Sequence, residues 1–335
     1  MTEDIRPIIS LFSGAGGLDS GFSQAGFVTA FACDLCHAAV RSFNANHPGN
    51  PAQQLDLVAL KPGSLLERIE VSLCGKRPVG VLAGPPCQGF SRGNVHRNPA
   101  DPRNLLPLKF ADHLNAIVEA YDIDFFVFEN VLGLAGPKHA ELLGRVREAL
   151  LKTGLVLHEG ILNALDFGVP QRRKRMFLVG LNPDRFDQST FRFPVGRSKH
   201  RTVRDAISGL PEATFNRIGI TPKEISFHRN HWTSSCRSEK LSTGGTTDGR
   251  SFRRLNWDEP SPTVAYGNRE ISVHPDGGRR LTVYEAMLLQ GFPKRYRLHG
   301  NFSQQVAQVC NAVPPPLAKA IAKRIAASIQ QVVLG

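Results

Sequence analysis

Val79-Gly80-Val81-Leu82-Ala83-Gly84-Pro85-Pro86-Cys87-Gln88-Gly89-Phe90-Ser91 decides how this chain is read. Its first five residues are a short apolar run of the kind that forms a buried parallel strand. Two prolines follow, each fixing its own φ and restricting the residue before it. A cysteine is therefore presented rigidly just past the carboxyl end of a strand. In an open α/β sheet, that edge is where ligands and chemistry collect. The plain alternative is a buried cysteine after a turn, since free cysteine is among the most buried residue types.

Upstream, Ile8-Ile9-Ser10-Leu11-Phe12 reads as a strand that runs into Ser13-Gly14-Ala15-Gly16-Gly17, with helical spacing following through Leu18, Phe22 and Ala25. A glycine-rich turn between strand and helix lets a ligand approach the backbone, and a helix start favours negative groups. The G-x-G-x-x-G dinucleotide spacing is absent, which points to a different nucleoside ligand and fits a nicotinamide oxidoreductase poorly. A second strand, Phe27 to Cys33, ends at Asp34, an acid placed to accept bonds from ribose hydroxyls. Asp56, near a third strand at Gln53-Gln54-Leu55, is placed to accept from an adenine amino group. Either acid reads equally well as a cap or turn residue.

Downstream, a helix is expected from about Pro107 to Tyr121, and a strand at Asp124-Phe-Phe-Val-Phe128 ends in Glu129-Asn130-Val131. A carboxylate straight after an apolar strand is costly to bury unless it has a partner or a task. Leu143, Val146 and Leu150 mark a further helix face and residues 155–162 a further strand. Gln171-Arg172-Arg173-Lys174-Arg175 precedes the strand Met176–Gly180, and period-two alternation turns one pair of these basic side chains inward and the other out. Past Leu181, strong periodicity gives way to glycine, proline, serine, threonine and arginine, as in a smaller irregular domain. Thr282-Val-Tyr-Glu285 is a capping box opening a helix. Leu317, Ile321, Ile325 and Ile329 are spaced by four, as a final helix packing back on the sheet requires. The expected fold is α/β, a doubly wound Rossmann-like sheet. Residues 1–190 form its main domain, 191–279 a smaller one, and 280–335 C-terminal helices that return to the sheet.

The chain has 335 residues, six cysteines and a net charge of +12. Its cysteine count does not suggest a disulfide framework, and a reducing, cytoplasmic setting is expected. It has neither a signal-peptide pattern nor an apolar run long enough for a membrane span. Residues 181–280 carry 17 lysines and arginines against 11 acids, and the other 235 residues carry 24 against 18. Basic charge concentrated in this way is the footprint of a nucleic-acid binder, or of a solvated basic surface.

A nucleoside-binding turn, a presented cysteine and a buried glutamate at one sheet edge fit one chemistry. A thiolate added to carbon 6 of cytosine makes carbon 5 nucleophilic, and a carboxylic acid at ring nitrogen 3 stabilises the charge that develops there. The carbon cannot be reached inside a duplex, so the base must be flipped out.

The chain resembles the DNA (cytosine-5)-methyltransferases, of bacterial or phage type. The resemblance rests on six motifs in that family's order, covering roughly residues 8–181 and 280–330. They are Phe12-Ser-Gly-Ala-Gly-Gly17, Gly84–Ser91, Phe128-Glu-Asn-Val131, Gln171–Arg175, Arg280–Pro293 and Gln308-Val-Cys-Asn-Ala-Val-Pro314. The resemblance implies S-adenosylmethionine as cofactor, double-stranded DNA as partner, and methylation of a flipped cytosine. It makes Cys87 the nucleophile, Glu129 its acid partner, and Arg173 and Arg175 the inward pair near the flipped base. Phe12, Gly14, Gly16, Gly17, Asp34, Leu35, Asp56, Pro85 and Asn311 would hold the cofactor. Ser91, Arg92, Asn130 and Gln171 would face the substrate, with Arg229 and Arg250 among the candidates for reading DNA. The recognition region is expected over about Lys199 to Asn256. No metal is expected, although Cys33-Asp-Leu-Cys36 has C-x-x-C spacing. The family's glycine before the last asparagine is replaced by Cys310, and Leu35 would stack on adenine less than an aromatic ring. A monomer is expected, with a cognate restriction endonuclease as a genetic partner. An RNA cytosine methyltransferase and a non-catalytic DNA-binding module stay open at this point, and an amino methyltransferase would want Asp/Asn-Pro-Pro-Tyr.

Overall fold

A computed structural model describes residues 6–86, 105–187, 191–196, 199–217, 219–234, 245–247, 250–264 and 270–333. Seven strands make the central sheet: β1 Arg6–Leu11, β2 Phe27–Asp34, β3 Ala52–Gln54, β4 Gly80–Ala83, β5 Phe125–Asn130, β6 Val156–Asn163 and β7 Lys174–Leu181. Their order is β3-β2-β1-β4-β5-β7-β6. The order reverses between β1 and β4, and this switch point opens a crevice at the carboxyl edge. Strands β1 to β5 pair in parallel, while β7 runs antiparallel to both β5 and β6. The start of β7 therefore lies at the same edge as the ends of β4 and β5. This brings the basic motif to the cysteine and glutamate motifs.

The helices are α1 Gly17–Ser23, α2 His37–Asn44, α3 Pro62–Leu73, α4 Leu106–Tyr121, α5 Ala140–Leu151, α6 Val203–Ile207, α7 Val283–Leu289, α8 Phe302–Asn311 and α9 Pro315–Val333. Alternation along β5 feeds both faces of the sheet. Phe126 and Phe128 pack with Ile69, Phe110, Leu114 and Val146 from α3, α4 and α5. Phe125 and Val127 pack on the other side with Phe22 of α1 and Leu317, Ile321 and Ile325 of α9. Helices on both faces of a mostly parallel sheet are the doubly wound architecture the sequence implied.

Helices α1 and α9 cross closely at Gly21, where a β-carbon would sit 2.4 Å from Ala318 Cβ and 2.6 Å from the Lys319 nitrogen. Two backbones cannot both yield at such a crossing. Gly21→Ala is expected to destabilise the fold by about 1–3 kcal/mol net of the helix-propensity gain. The urea midpoint should fall at unchanged m-value; an unchanged midpoint would show that the crossing is loose.

A third core joins Val203 and Ile207 of α6, Trp232 and Val264 to Tyr284 and Met287 of α7 and Val309 of α8. Helix α9 thus packs on the sheet, whereas α7 and α8 share their core with the chain between 199 and 264. Short strands appear where irregular structure was expected. β8 Thr214–Asn216 pairs with β9 Trp232–Ser234, and β10 Gly245–Thr247, β11 Arg250–Arg254 and β12 Glu270–Val273 form a small sheet. Runs of three to five residues are too short to show periodicity in sequence.

Candidate active site

Glu129 lies inside β5, one residue from its end, because the ladder to β7 continues past it, opposite Phe177. Its side chain is buried, and Arg175 Nε lies 2.8 Å from Oε1. Burial pushes the Glu129 carboxyl above the usual carboxylate range, and the Arg175 and Arg173 charges oppose that rise without cancelling it. Gly84 passes close by, since a β-carbon there would lie 3.5 Å from Glu129 Oε2. Asn130 Nδ2 donates to the Pro85 carbonyl at 3.4 Å, tying the proline loop to the end of β5. The proline pair therefore stands beside a carboxyl whose ionised form burial disfavours. Cys87, Ser91 and Arg92 lie outside the described residues.

The alternation read from the basic motif is visible: Arg173 is buried and Arg175 largely so, while Arg172 and Lys174 are exposed. The two inward arginines serve different places. Arg175 faces Glu129. Arg173 Nη2 donates to the carbonyls of Cys310 at 2.7 Å and Ala312 at 3.0 Å, clamping the end of α8. Gln171 is fully buried. It donates to Gln290 Oε1 at 2.6 Å and accepts from the Val264 nitrogen at 3.1 Å. Gln290 in turn donates to the Val309 and Ala312 carbonyls, both at 2.9 Å. This buried network links residue 264, beside the small sheets, to the last motif.

The turn after β1 has the features of a nucleoside cradle. Phe12 adopts φ 53°, a left-handed conformation that a bulky residue takes only where its surroundings impose it. A β-carbon at Gly14 would meet nothing within 4 Å, so space lies open above the turn. Among the described residues, the buried Ser13 Oγ has no hydrogen-bond partner. Asp34 closes the adjacent strand, its two oxygens accepting from the Gly14 nitrogen at 2.9 Å and the Cys36 nitrogen at 2.8 Å. Leu35 is 63% exposed, free to cover an aromatic ring, and Asp56 is exposed at the end of the third-strand loop. Asn311 is exposed at the end of α8, and Gly17 packs under Val313 just beyond it. An open glycine turn, a hydroxyl lacking a partner and flanking acids fit S-adenosylmethionine.

Two residues bracing this turn were not foreseen. Gly16, at φ 82°, leaves room only for hydrogen, because a β-carbon would lie 2.7 Å from His47 Nε2 and 2.8 Å from Tyr296 Oη. Tyr296 Oη donates to the Ala15 carbonyl at 2.5 Å. Burial pushes the His47 imidazole down to about 4, so it is neutral at physiological pH. Both braces come from distant segments and carry no local sequence signal.

Cys310 sits inside α8 without a positive φ, so the helix accepts a side chain where the family pattern has glycine. In the donor-rich segment 227–232, most polar groups are turned inward. Asn230 exchanges hydrogen bonds with the backbone of Leu298, and Trp232 Nε1 donates to Gln305. Arg229 is half-buried and lines a cavity, and Arg250 opens β11. Cys33 is buried and Cys36 exposed, and among the described residues no three His, Cys, Asp or Glu side chains converge as a metal site. Among the described residues no helix is long and apolar enough to cross a membrane.

The family model for C-5 cytosine-specific DNA methylases matches residues 7–327. Among curated relatives, the Type II methyltransferase M.MthTI of Methanothermobacter thermautotrophicus is 32% identical, over 97% of this chain and 98% of its own. The Type II methyltransferase M1.HphI of Haemophilus parahaemolyticus is 34% identical, over 95% and 86%. Among solved structures, a provisionally assigned DNA modification methyltransferase encoded within an E. coli prophage superposes with a TM-score of 0.75. It is 24% identical and covers 97% of this chain and 99% of that one.

Proposed function

This chain belongs to the C-5 cytosine-specific DNA methylases, and from that membership we propose that it methylates a flipped cytosine through a covalent bond to Cys87. That it is a DNA cytosine-5-methyltransferase using S-adenosylmethionine follows from the family. The observation that supports the covalent reading is the convergence, at the switch point, of the loop leading to Cys87 with the buried Glu129–Arg175 pair.

Each residue has a task in this reading. The Cys87 thiolate adds to carbon 6 of the ring, while Glu129 gives its proton to nitrogen 3, so that carbon 5 becomes a nucleophilic enamine carbon. Arg175 fixes the Glu129 carboxyl and is aimed at the same ring. S-adenosylmethionine, which Phe12, Gly14, Gly16, Gly17, Asp34, Leu35, Asp56, Pro85 and Asn311 would hold, would supply an electrophilic methyl group. Once carbon 5 carries the methyl, a base removes the proton from that carbon, the sulfur leaves, Glu129 recovers its proton and the aromatic ring is restored. Ser91, Arg92 and the loop to Arg103 close over the DNA and exclude water. Residues 191–279 supply target recognition, with Arg250 among the DNA contacts, and Arg173 and Gln171 position the last motif. The protein acts as a cytoplasmic monomer, paired genetically with a restriction endonuclease as its Type II relatives' names suggest.

Incubating the purified protein and labelled S-adenosylmethionine with duplex DNA and, separately, with tRNA tests the substrate. Methyl incorporation as 5-methylcytosine in DNA is expected, and product confined to tRNA would overturn the reading.

A further inference from the structure

A cleft of about 430 Å³ lies between the β8–β9 region and the start of α8, lined by Asn216, Arg217, Thr221, Arg229 and Ser303 among others. Its lining joins residues 216–232, within the expected recognition region, to residues 300–305, between the two C-terminal motifs. Arg217 is already engaged by Glu224 at 2.6 Å. Arg229 is not, and it has company. Its neighbour Asn230 exchanges hydrogen bonds with the Leu298 backbone at 2.9 and 3.0 Å, which places Arg297 and His299 beside it. The 297–299 segment is pinned to α2 and the turn after it: the His299 nitrogen donates to Ser42 Oγ at 2.7 Å and the Arg297 nitrogen to Asn46 Oδ1 at 2.9 Å. Arg41 of α2 reaches His299 Nδ1 at 3.5 Å.

Three arginines from three separate segments are thus drawn together by a hydrogen-bonded scaffold, of which the Asn230–Leu298 pair is buried. Among the described residues, no carboxylate forms an ion pair with Arg41, Arg229 or Arg297. Burial first, and then the Arg297 and Arg41 charges, pull the Arg229 guanidinium down from its ordinary value. Gathering like charges without a counter-ion costs free energy that a bound anion recovers. Guanidinium groups match phosphate oxygens in geometry and charge.

We propose that Arg41 and Arg297, together with Arg229 of the cleft lining, form a phosphodiester-binding site that holds the DNA backbone outside the target base. The assignment rests on the DNA-methylating reading above. The site carries no sequence information; it adds affinity and orientation.

The test is the salt dependence of duplex DNA binding by Arg41→Gln, Arg297→Gln and Arg297→Lys, with S-adenosylmethionine affinity as the folding control. Each phosphate contact contributes about 0.9 to the slope of log affinity against log salt. Each glutamine variant should lower the slope by about one and weaken binding by about eightfold at 0.1 M salt, and R297K should retain the slope. Glutamine variants with the wild-type slope, measured on protein that still methylates DNA, would overturn the site while leaving the methyltransferase reading intact. A wild-type protein that leaves DNA unmethylated fails the reading itself. Inorganic pyrophosphate separates the ligand's source. If the variants lose pyrophosphate binding at an unchanged DNA slope, the cluster binds a free anion and the DNA assignment is overturned.

Discussion

Cys87→Ser is expected to remove turnover by a factor on the order of 10⁴ or more while leaving duplex DNA affinity within a few-fold. A serine hydroxyl is about as large as the thiol but far less acidic and nucleophilic at neutral pH. The glycine-proline-proline run before it is unchanged, so presentation of the side chain is kept and only the attacking atom is altered. The measurement is single-turnover methyl transfer beside a binding isotherm. Turnover within tenfold of wild type would mean that carbon 5 is activated without covalent addition.

The second large effect is at Glu129. Glu129→Gln keeps the shape of the side chain and a hydrogen-bond donor but cannot deliver a proton, and its rate should fall by about 10²–10⁴. The pH profile separates this from a packing defect. Burial raises the Glu129 pKa, so its acid form persists to higher pH than that of an exposed glutamate. Activity of the wild type should therefore decline on the alkaline side as Glu129 ionises, and that limb should vanish in E129Q. An identical alkaline limb in both proteins would assign the titration to another group. Gly84 stands 3.5 Å (measured from its β-carbon position) from Glu129 Oε2, so any loss of order in the proline loop would alter both effects together.

The sheet was legible because its strands are short apolar runs ending in punctuating residues: Leu11 before the glycine turn, Ala83 before Gly84, Phe128 before Glu129. The helix at 283–289 announced itself through Thr282 and Glu285, whose reciprocal cap is present. Helix α8 carries an equivalent signal in Asn301 and Gln304, which was there to be read. Strand direction was not legible. A run such as Met176–Gly180 looks the same in either orientation, and only the pairing of β7 with β5 shows why Arg175 meets Glu129. The split between Arg173 and Arg175 was equally hidden: alternation turns both inward, but only tertiary contacts send one to the Cys310 carbonyl and the other to a carboxylate. The bracing of Gly16 by His47 and Tyr296 depends on residues 31 and 280 positions away, a separation no local pattern records.

The covalent step can be trapped. In duplex DNA carrying 5-fluorocytosine in place of cytosine, carbon 5 bears fluorine where the departing proton should be, so the sulfur cannot be expelled after methyl transfer. With S-adenosylmethionine present, the account predicts a denaturation-resistant protein–DNA complex. Its peptide map should place the modified, methylated base on Cys87, and no complex should form with C87S. A wild-type protein that methylates ordinary cytosine DNA but forms no adduct with the fluorinated duplex, or forms one on another residue, would contradict it.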